Sequence, residues 1–122
     1  MSQALIAIVD DDESVREATK TFVRSLGHQA STFASAEEFL KSEQVHDTSC
    51  LITDVQMPGL SGIDLQDHLV ARGHSIPTIF MTGYPDVSVQ ARAMKAGAVG
   101  FLSKPYNVDH LIGCLDKALK PS

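Results

Sequence analysis

Asp10, Asp11 and Asp12 stand in a row directly after the apolar run Ala4–Val9, and Asp54 stands directly after Cys50-Leu51-Ile52-Thr53. A short strand-forming run that ends in carboxylates is poorly suited to packing. If the two run ends lie side by side, several negative charges share one small volume, and each resists ionising unless a cation sits among them. Carboxylate oxygens with neither sulfur nor imidazole alongside suit a hard ion such as Mg2+. Two further residues extend the chemistry: Thr82 follows the apolar run Pro77–Met81, and Lys104 follows Ala98–Leu102. A carboxylate is a competent nucleophile toward phosphorus and forms an aspartyl-phosphate. The charge on a transferred phosphoryl group must be offset by a metal and a cation. Asp54 suits the nucleophile and Asp10 and Asp11 the metal ligands. Lys104 offers a point charge on a flexible stem for a phosphate oxygen, and Thr82 offers a hydroxyl donor. Each residue has a plain alternative. Consecutive aspartates form solvated turns and helix caps, and Asp12 reads as the cap of the helix that follows, with Ser14 as its rival. A threonine after a strand and a Lys-Pro pair are ordinary turn signals. Their joint placement at the ends of four different runs is what points to one site.

Elements that would bring these ends together alternate along the whole chain. Ala4–Val9 is strand-like. Glu13 to Leu26 carries Val15, Ala18, Phe22 and Leu26 at helical spacing and stops at Gly27. His28–Phe33 reads as a second strand. Ser35 with Glu38 has the form of a capping box before Phe39 and Leu40. Ser49–Asp54 is a third strand, followed by the turn-rich Pro58-Gly59 and Ser61-Gly62 and a helix to about Arg72, with Leu65 and Leu69 inward. Pro77–Met81 is a fourth strand, expected to be buried on both faces. Asp86 caps a helix to Ala96, with Val87, Ala91 and Met94 expected inward and Gly97 at its end. Ala98–Leu102 is a fifth strand. A last helix from Asn107 carries Val108, Leu111, Ile112, Leu115, Ala118 and Leu119. Strict strand–helix alternation predicts an α/β fold: a doubly wound, five-stranded parallel sheet with helices on both faces. In such a sheet the functional crevice lies beyond the carboxyl ends of the strands, where Asp10, Asp11, Asp54, Thr82 and Lys104 fall.

Composition narrows the options. The chain has 122 residues, 43% hydrophobic and 20% charged, which predicts a single globular domain over residues 1–122. The net charge of −5, without a Lys/Arg cluster, argues against direct nucleic-acid binding. No apolar stretch is long enough to span a bilayer and no signal peptide is visible, so a cytoplasmic protein is expected. Cys50 and Cys114 lack a CxxC or metal-ligand pattern and read as reduced, buried thiols. His28, His46, His68, His74 and His110 fall in no ligand spacing and read as surface or loop residues. Nucleotide-binding glycine motifs are absent.

The runs Ile8-Val9-Asp10-Asp11-Asp12 and Thr53-Asp54-Val55-Gln56-Met57-Pro58-Gly59, with the pairs Thr82-Gly83 and Lys104-Pro105, resemble the receiver domain of two-component response regulators. The match runs the length of the chain. Met81-Thr82-Gly83 and Ala93-Met94-Lys95-Ala96-Gly97-Ala98 are similar to its FixJ-like branch. The resemblance implies the CheY-like, flavodoxin-like (βα)5 fold. It implies that Asp54 accepts a phosphoryl group from a histidine of a sensor histidine kinase. Asp10, Asp11, Asp54 and the backbone carbonyl of Gln56 would hold Mg2+, and Lys104 would pair with a phosphoryl oxygen. Thr82 would contact the phosphoryl group, and Phe101 would turn inward when Thr82 moves. The Lys104–Pro105 bond would be cis, inexpensive before proline. The fourth helix, fifth strand and fifth helix would form the readout face, with Arg92 and Lys95 exposed on it. Through that face receivers of this kind form homodimers on phosphorylation or dock partners. A C-terminal DNA-binding domain would follow in a longer transcriptional regulator, its linker beginning near Lys120-Pro121-Ser122. By itself such a domain is a phosphoacceptor switch with self-phosphorylation and self-dephosphorylation activity, not an enzyme acting on a separate substrate.

One departure stands out. Tyr84-Pro85 follows Thr82-Gly83, and Pro85 restricts Tyr84 to extended conformations. Tyr84 together with Gln56 is expected to flank the phosphoryl group and lengthen its lifetime. Two other classes compete. A Mg2+-dependent phosphohydrolase would use Asp10 of Asp10-Asp11-Asp12 as its aspartyl-phosphate nucleophile, but leaves Asp54 without a role and has no room for a cap domain. An FMN-binding electron carrier of the same architecture would need a hydroxyl-rich phosphate loop after the first strand, where this chain has acids.

Overall fold

β-branched and aliphatic residues dominate the strands, and each strand gives way to a capped helix. The chain, described as a computed structural model over residues 4–120, runs β1 (Leu5–Val9), α1 (Glu13–Ser25), β2 (Gln29–Phe33), α2 (Ala36–Leu40), β3 (Cys50–Asp54), α3 (Gly62–Ala71), β4 (Thr78–Thr82), α4 (Val87–Lys95), β5 (Gly100–Ser103) and α5 (Val108–Leu119). The linker expected at Lys120-Pro121-Ser122 lies at and beyond the last described residue, and the leader reading rested on residues before the first.

The sheet is wholly parallel, in the order β2-β1-β3-β4-β5. The order reverses between β1 and β3, so a crevice opens there beyond the strand ends. Side chains alternate along each strand. Ile6, Ile8, Ile52, Ile79 and Met81 pack on one face against Val23 of α1 and Leu111 and Leu115 of α5. Ala7, Val9 and Leu51 face the other way, against Phe39 of α2 and Leu65 and Leu69 of α3. Phe80 joins Ile63 of α3 and Ala93 of α4 on that side. β3 and β4 are buried at every residue, as expected of strands sandwiched between helical layers.

Caps set the helix starts. Asp12 accepts from the backbone N–H groups of Ser14 and Val15, and Asp86 from those of Ser88 and Val89. Ser35 accepts from Glu38 N–H. The full reciprocal capping box is formed at α3, where Ser61 and Asp64 exchange side-chain and backbone bonds.

Three expectations are corrected. Val87, Ala91 and Met94 do not face inward: Val87 is 85% and Met94 45% exposed, and Ala91 is exposed. The nine-residue α4 rests on Val89 and Ala93 instead. Both sets have helical spacing, so periodicity does not choose between them, and neither does size, since Val and Ala occur in both; the observed face packs Ala93 with Phe80. On α1, Ala18 and Leu26 are exposed while Thr19 and Val23 are buried. The Thr19 hydroxyl lies 3.3 Å from the Tyr106 hydroxyl, which makes burial of a polar side chain tolerable. A 3-10 turn at Glu43–Asp47, with Val45 buried, fills a stretch for which no element was expected.

Candidate functional site

The carboxyl ends of β1, β3, β4 and β5 meet in one crevice. Asp10 is fully buried just past β1, and its N–H bonds Phe33 O at 3.1 Å, continuing the pairing with β2. Its Oδ1 accepts from Asp12 N–H at 2.9 Å, and Arg16 donates to its carbonyl at 2.8 Å. Asp54 closes β3 and is 5% exposed. Lys104 enters from beyond β5, its N–H bonding Thr82 O at 2.7 Å. Its ammonium lies 2.9 Å from Asp10 Oδ2 and 3.2 Å from Asp54 Oδ2. The Lys104–Pro105 peptide bond is cis. Asp11 is exposed at the rim.

Carboxylate oxygens of Asp10, Asp11 and Asp54 lie within 4.8 Å of one another. Asp54 Oδ1 is buried without a hydrogen-bond partner among the described residues, although a buried carboxylate oxygen is ordinarily satisfied. Asp10 Oδ2 also lacks a hydrogen bond and has only its ion pair with Lys104; an all-oxygen set with under-satisfied buried oxygens fits a hard divalent cation. Burial, then the neighbouring Asp10 charge, pushes the Asp54 carboxyl above the ordinary aspartate range despite Lys104. Burial works to lower the Lys104 value, but Asp10 and Asp54 outweigh it and hold the ammonium above the usual lysine range. Lys104 therefore stays charged at neutral pH, while Asp54 is reluctant to ionise.

Asp54 and Asp10 differ in availability. Asp10 Oδ1 accepts the Asp12 N–H and Oδ2 is ion-paired with Lys104, which speaks against Asp10 as the nucleophile of a phosphohydrolase. Asp54 keeps Oδ1 free.

Thr82 is the last residue of β4 and is fully buried. Its hydroxyl donates to Gln56 Oε1 at 2.7 Å and accepts the Tyr84 N–H at 3.0 Å. Gln56 was expected to contribute its carbonyl and to shield a phosphoryl group with Tyr84; its side-chain bond to Thr82 had no signal in the sequence. The Tyr84 side chain is 78% exposed, and Tyr84 is tied to the site by its backbone. Phe101 pairs in register with Phe80 and is half-buried, beside a cleft of about 380 Å³ lined also by Pro85, Gln90 and His110. Glu37, also unforeseen, reaches from α2 to accept the Leu60 N–H at 3.3 Å, bracing the loop that follows Asp54.

A parallel sheet with this acidic crevice, a lysine across it and a buried threonine at the next strand end defines a receiver-type phosphorylation domain. The chain belongs to the response regulator receiver domain family, whose model matches residues 6–116. It is 42% identical to the response regulator protein TmoT of Ectopseudomonas mendocina over 118 residues, 97% of this chain and 54% of TmoT. The structure of response regulator StyR superposes with a TM-score of 0.89 at 39% identity, covering 98% of this chain and 60% of that one. FixJ-N superposes with a TM-score of 0.87 at 35% identity, covering 100% of this chain and 98% of that one. The chain spans about half the length of the curated relatives it matches. Among the described residues no helix is long and apolar enough to cross a membrane.

Lys104→Gln is expected to cost about 1–2 kcal/mol at pH 7–8 without divalent cations, because it leaves two close carboxylates facing each other in a largely buried site. The loss shrinks at a second, lower pH, because acidification protonates Asp54, whose carboxyl burial and Asp10 hold above the ordinary aspartate range. Urea unfolding at both pH values checks this; an equal loss at the two would count against it.

Proposed function

We propose that Asp54 accepts a phosphoryl group from a histidine of a sensor histidine kinase and that residues 1–122 act as one phosphoacceptor switch. The observation that carries this is the asymmetry of the Asp54 carboxylate: Oδ2 faces Lys104, and Oδ1 is buried and unpartnered. Asp10, Asp11, Asp54 and the Gln56 backbone carbonyl would hold Mg2+. The ion would supply positive charge for the oxygens of the transferred group.

The chain's own residues do the rest. Asp54 attacks phosphorus through one carboxylate oxygen, and the leaving imidazole departs on the opposite side. Lys104 follows the charge from the carboxylates to a phosphoryl oxygen. Thr82 donates to another phosphoryl oxygen, and Phe101 turns inward into the space its movement opens. The altered α4–β5–α5 face, where Arg92 and Lys95 are exposed, then forms a homodimer or docks a partner. Longer relatives, of which the match covers 54% and 56%, that are named as transcriptional regulatory proteins support an output domain that binds DNA, controlled from the cytoplasm by this receiver. The domain itself turns over no separate substrate.

Intact mass after incubation with acetyl phosphate tests the reading. One added phosphoryl group with Mg2+, and none with EDTA, is expected. A folded, Mg2+-binding protein that gains no mass would sink it.

A further inference from the structure

We infer that the Gln56 side chain is a latch that holds the Thr82 hydroxyl in the unswitched position and sets the threshold for switching. The inference rests on the reading of Asp54 as phosphoacceptor and of Thr82 as the group that senses it. A threonine hydroxyl has one hydrogen to give. Here the oxygen accepts the Tyr84 N–H at 3.0 Å, and the hydrogen goes to Gln56 Oε1 at 2.7 Å. While that bond lasts, Thr82 has nothing to offer a phosphoryl oxygen.

The two partners are unequally placed. Thr82 is fully buried, so its hydroxyl depends on a protein acceptor. Gln56 is exposed and can turn its amide to water at little cost. Release therefore requires that Thr82 find a better acceptor. A phosphoryl oxygen is one, since a charge-assisted hydrogen bond is roughly twice as strong as a neutral one. The exchange favours the phosphorylated state, but by less than if Thr82 had been free. The same oxygen accepts the Tyr84 N–H, so a turn of the hydroxyl toward a phosphoryl oxygen is felt at the start of the β4–α4 loop. Latch and loop are thus coupled through one side chain.

The test uses Gln56→Met, which keeps the length of the side chain and the backbone carbonyl but removes the acceptor. Affinity for beryllofluoride, a phosphoryl mimic, is measured by calorimetry with saturating Mg2+ in wild type, Gln56→Met, Thr82→Val and the double variant. The net value of a neutral hydrogen bond predicts about 3- to 10-fold tighter binding for Gln56→Met. In the Thr82→Val background the same change should alter affinity less than about 2-fold, the signature of action through Thr82. Unchanged or weaker binding in Gln56→Met overturns the latch, as does an equal gain with and without the Thr82 hydroxyl. The Tyr84 amide resonance in the free protein provides a second reading: Gln56→Met should move it, and a resonance left in place overturns the coupling to the loop. Wild-type protein that binds Mg2+ but neither beryllofluoride nor phosphate instead overturns the Asp54 reading on which the latch depends.

Discussion

Replacing Asp54 with Asn is expected to abolish phosphorylation by acetyl phosphate and, in the same molecule, to stabilise the fold at neutral pH. The first effect follows from chemistry: an amide oxygen is no nucleophile toward phosphorus on this timescale, and Asp10 is engaged through both oxygens. The second follows from the cost of the charge. Burial and the adjacent Asp10 raise the Asp54 carboxyl above its ordinary value, and Lys104 only partly offsets them. A neutral side chain of the same shape escapes that penalty. A gain of roughly 2–8 °C in Tm is expected, the shift that about 1 kcal/mol produces in domains near this size.

The pH dependence has a definite sign. A carboxyl with a raised folded-state value binds its proton at higher pH in the folded protein than in the unfolded chain. Between the ordinary aspartate value and the raised one, the folded state carries more protons, so stability falls as pH rises through that window and levels off above it. Wild type should gain stability on acidification through that window, and Asp54→Asn should lack this contribution. Lys104, also raised, adds stability that is present through neutral pH and is lost only as pH climbs through its folded value. Urea unfolding of both proteins from pH 4 to 8 reads the difference. Parallel curves, or a less stable Asn variant at pH 7, would mean that the carboxylate is satisfied in the folded state. Saturating Mg2+ should narrow the gap, because binding to the native state alone stabilises wild type by mass action.

Much of this site could be read in the sequence because its parts sit at strand ends. A run such as Ile6–Val9 that stops in Asp10 announces both a strand and a carboxylate at its tip, and the parallel register then brings Asp10, Asp54, Thr82 and Lys104 together. Strand limits shifted by one or two residues: Thr82 is the last residue of β4, not the first after it, and this puts its hydroxyl under the Tyr84 N–H. What could not be read are bonds between side chains far apart in the chain. Gln56 to Thr82 and Glu37 to Leu60 depend on loop paths, and neither residue type is diagnostic where it stands. The face of α4 was illegible for a different reason. Val87, Ala91 and Met94 and the pair Val89 and Ala93 both fit a helical stripe, and the choice rests on how α4 is turned against Phe80, a long-range contact.

Gly62→Ala is expected to be among the most damaging single substitutions in the domain, costing about 3 kcal/mol or more. Gly62 opens α3 beneath Ser61, and its N–H bonds Val55 O at 3.0 Å. Its φ is not positive, so the demand for glycine comes from space and not from backbone conformation. A Cβ built there collides with the carbonyl oxygen of Asp54 and lies 3.2 Å from Thr53 Cγ2. Backbone cannot rotate aside as a side-chain tip can, so either α3 withdraws from β3 or the end of β3 shifts. Overpacking of a rigid core costs 1–3 kcal/mol and occasionally more, and a clash with backbone belongs at the upper end. The consequence for function differs from ordinary destabilisation. Ile63, Leu65 and Leu69 are buried on α3, so a displaced helix opens the core, while a displaced strand end moves the Asp54 carboxylate relative to Lys104 and Asp10. At a temperature where the variant is still folded, phosphorylation by acetyl phosphate should be slowed by at least ~10-fold, as ångström-scale misplacement of reacting groups can do. Gly113→Ala, at an exposed α5 position where nothing lies within 4 Å of a built Cβ, is the matched control and should be neutral or slightly stabilising. A Gly62→Ala protein with wild-type stability and phosphorylation rate would show that β3 and α3 are not in the tight contact on which the placement of Asp54 depends.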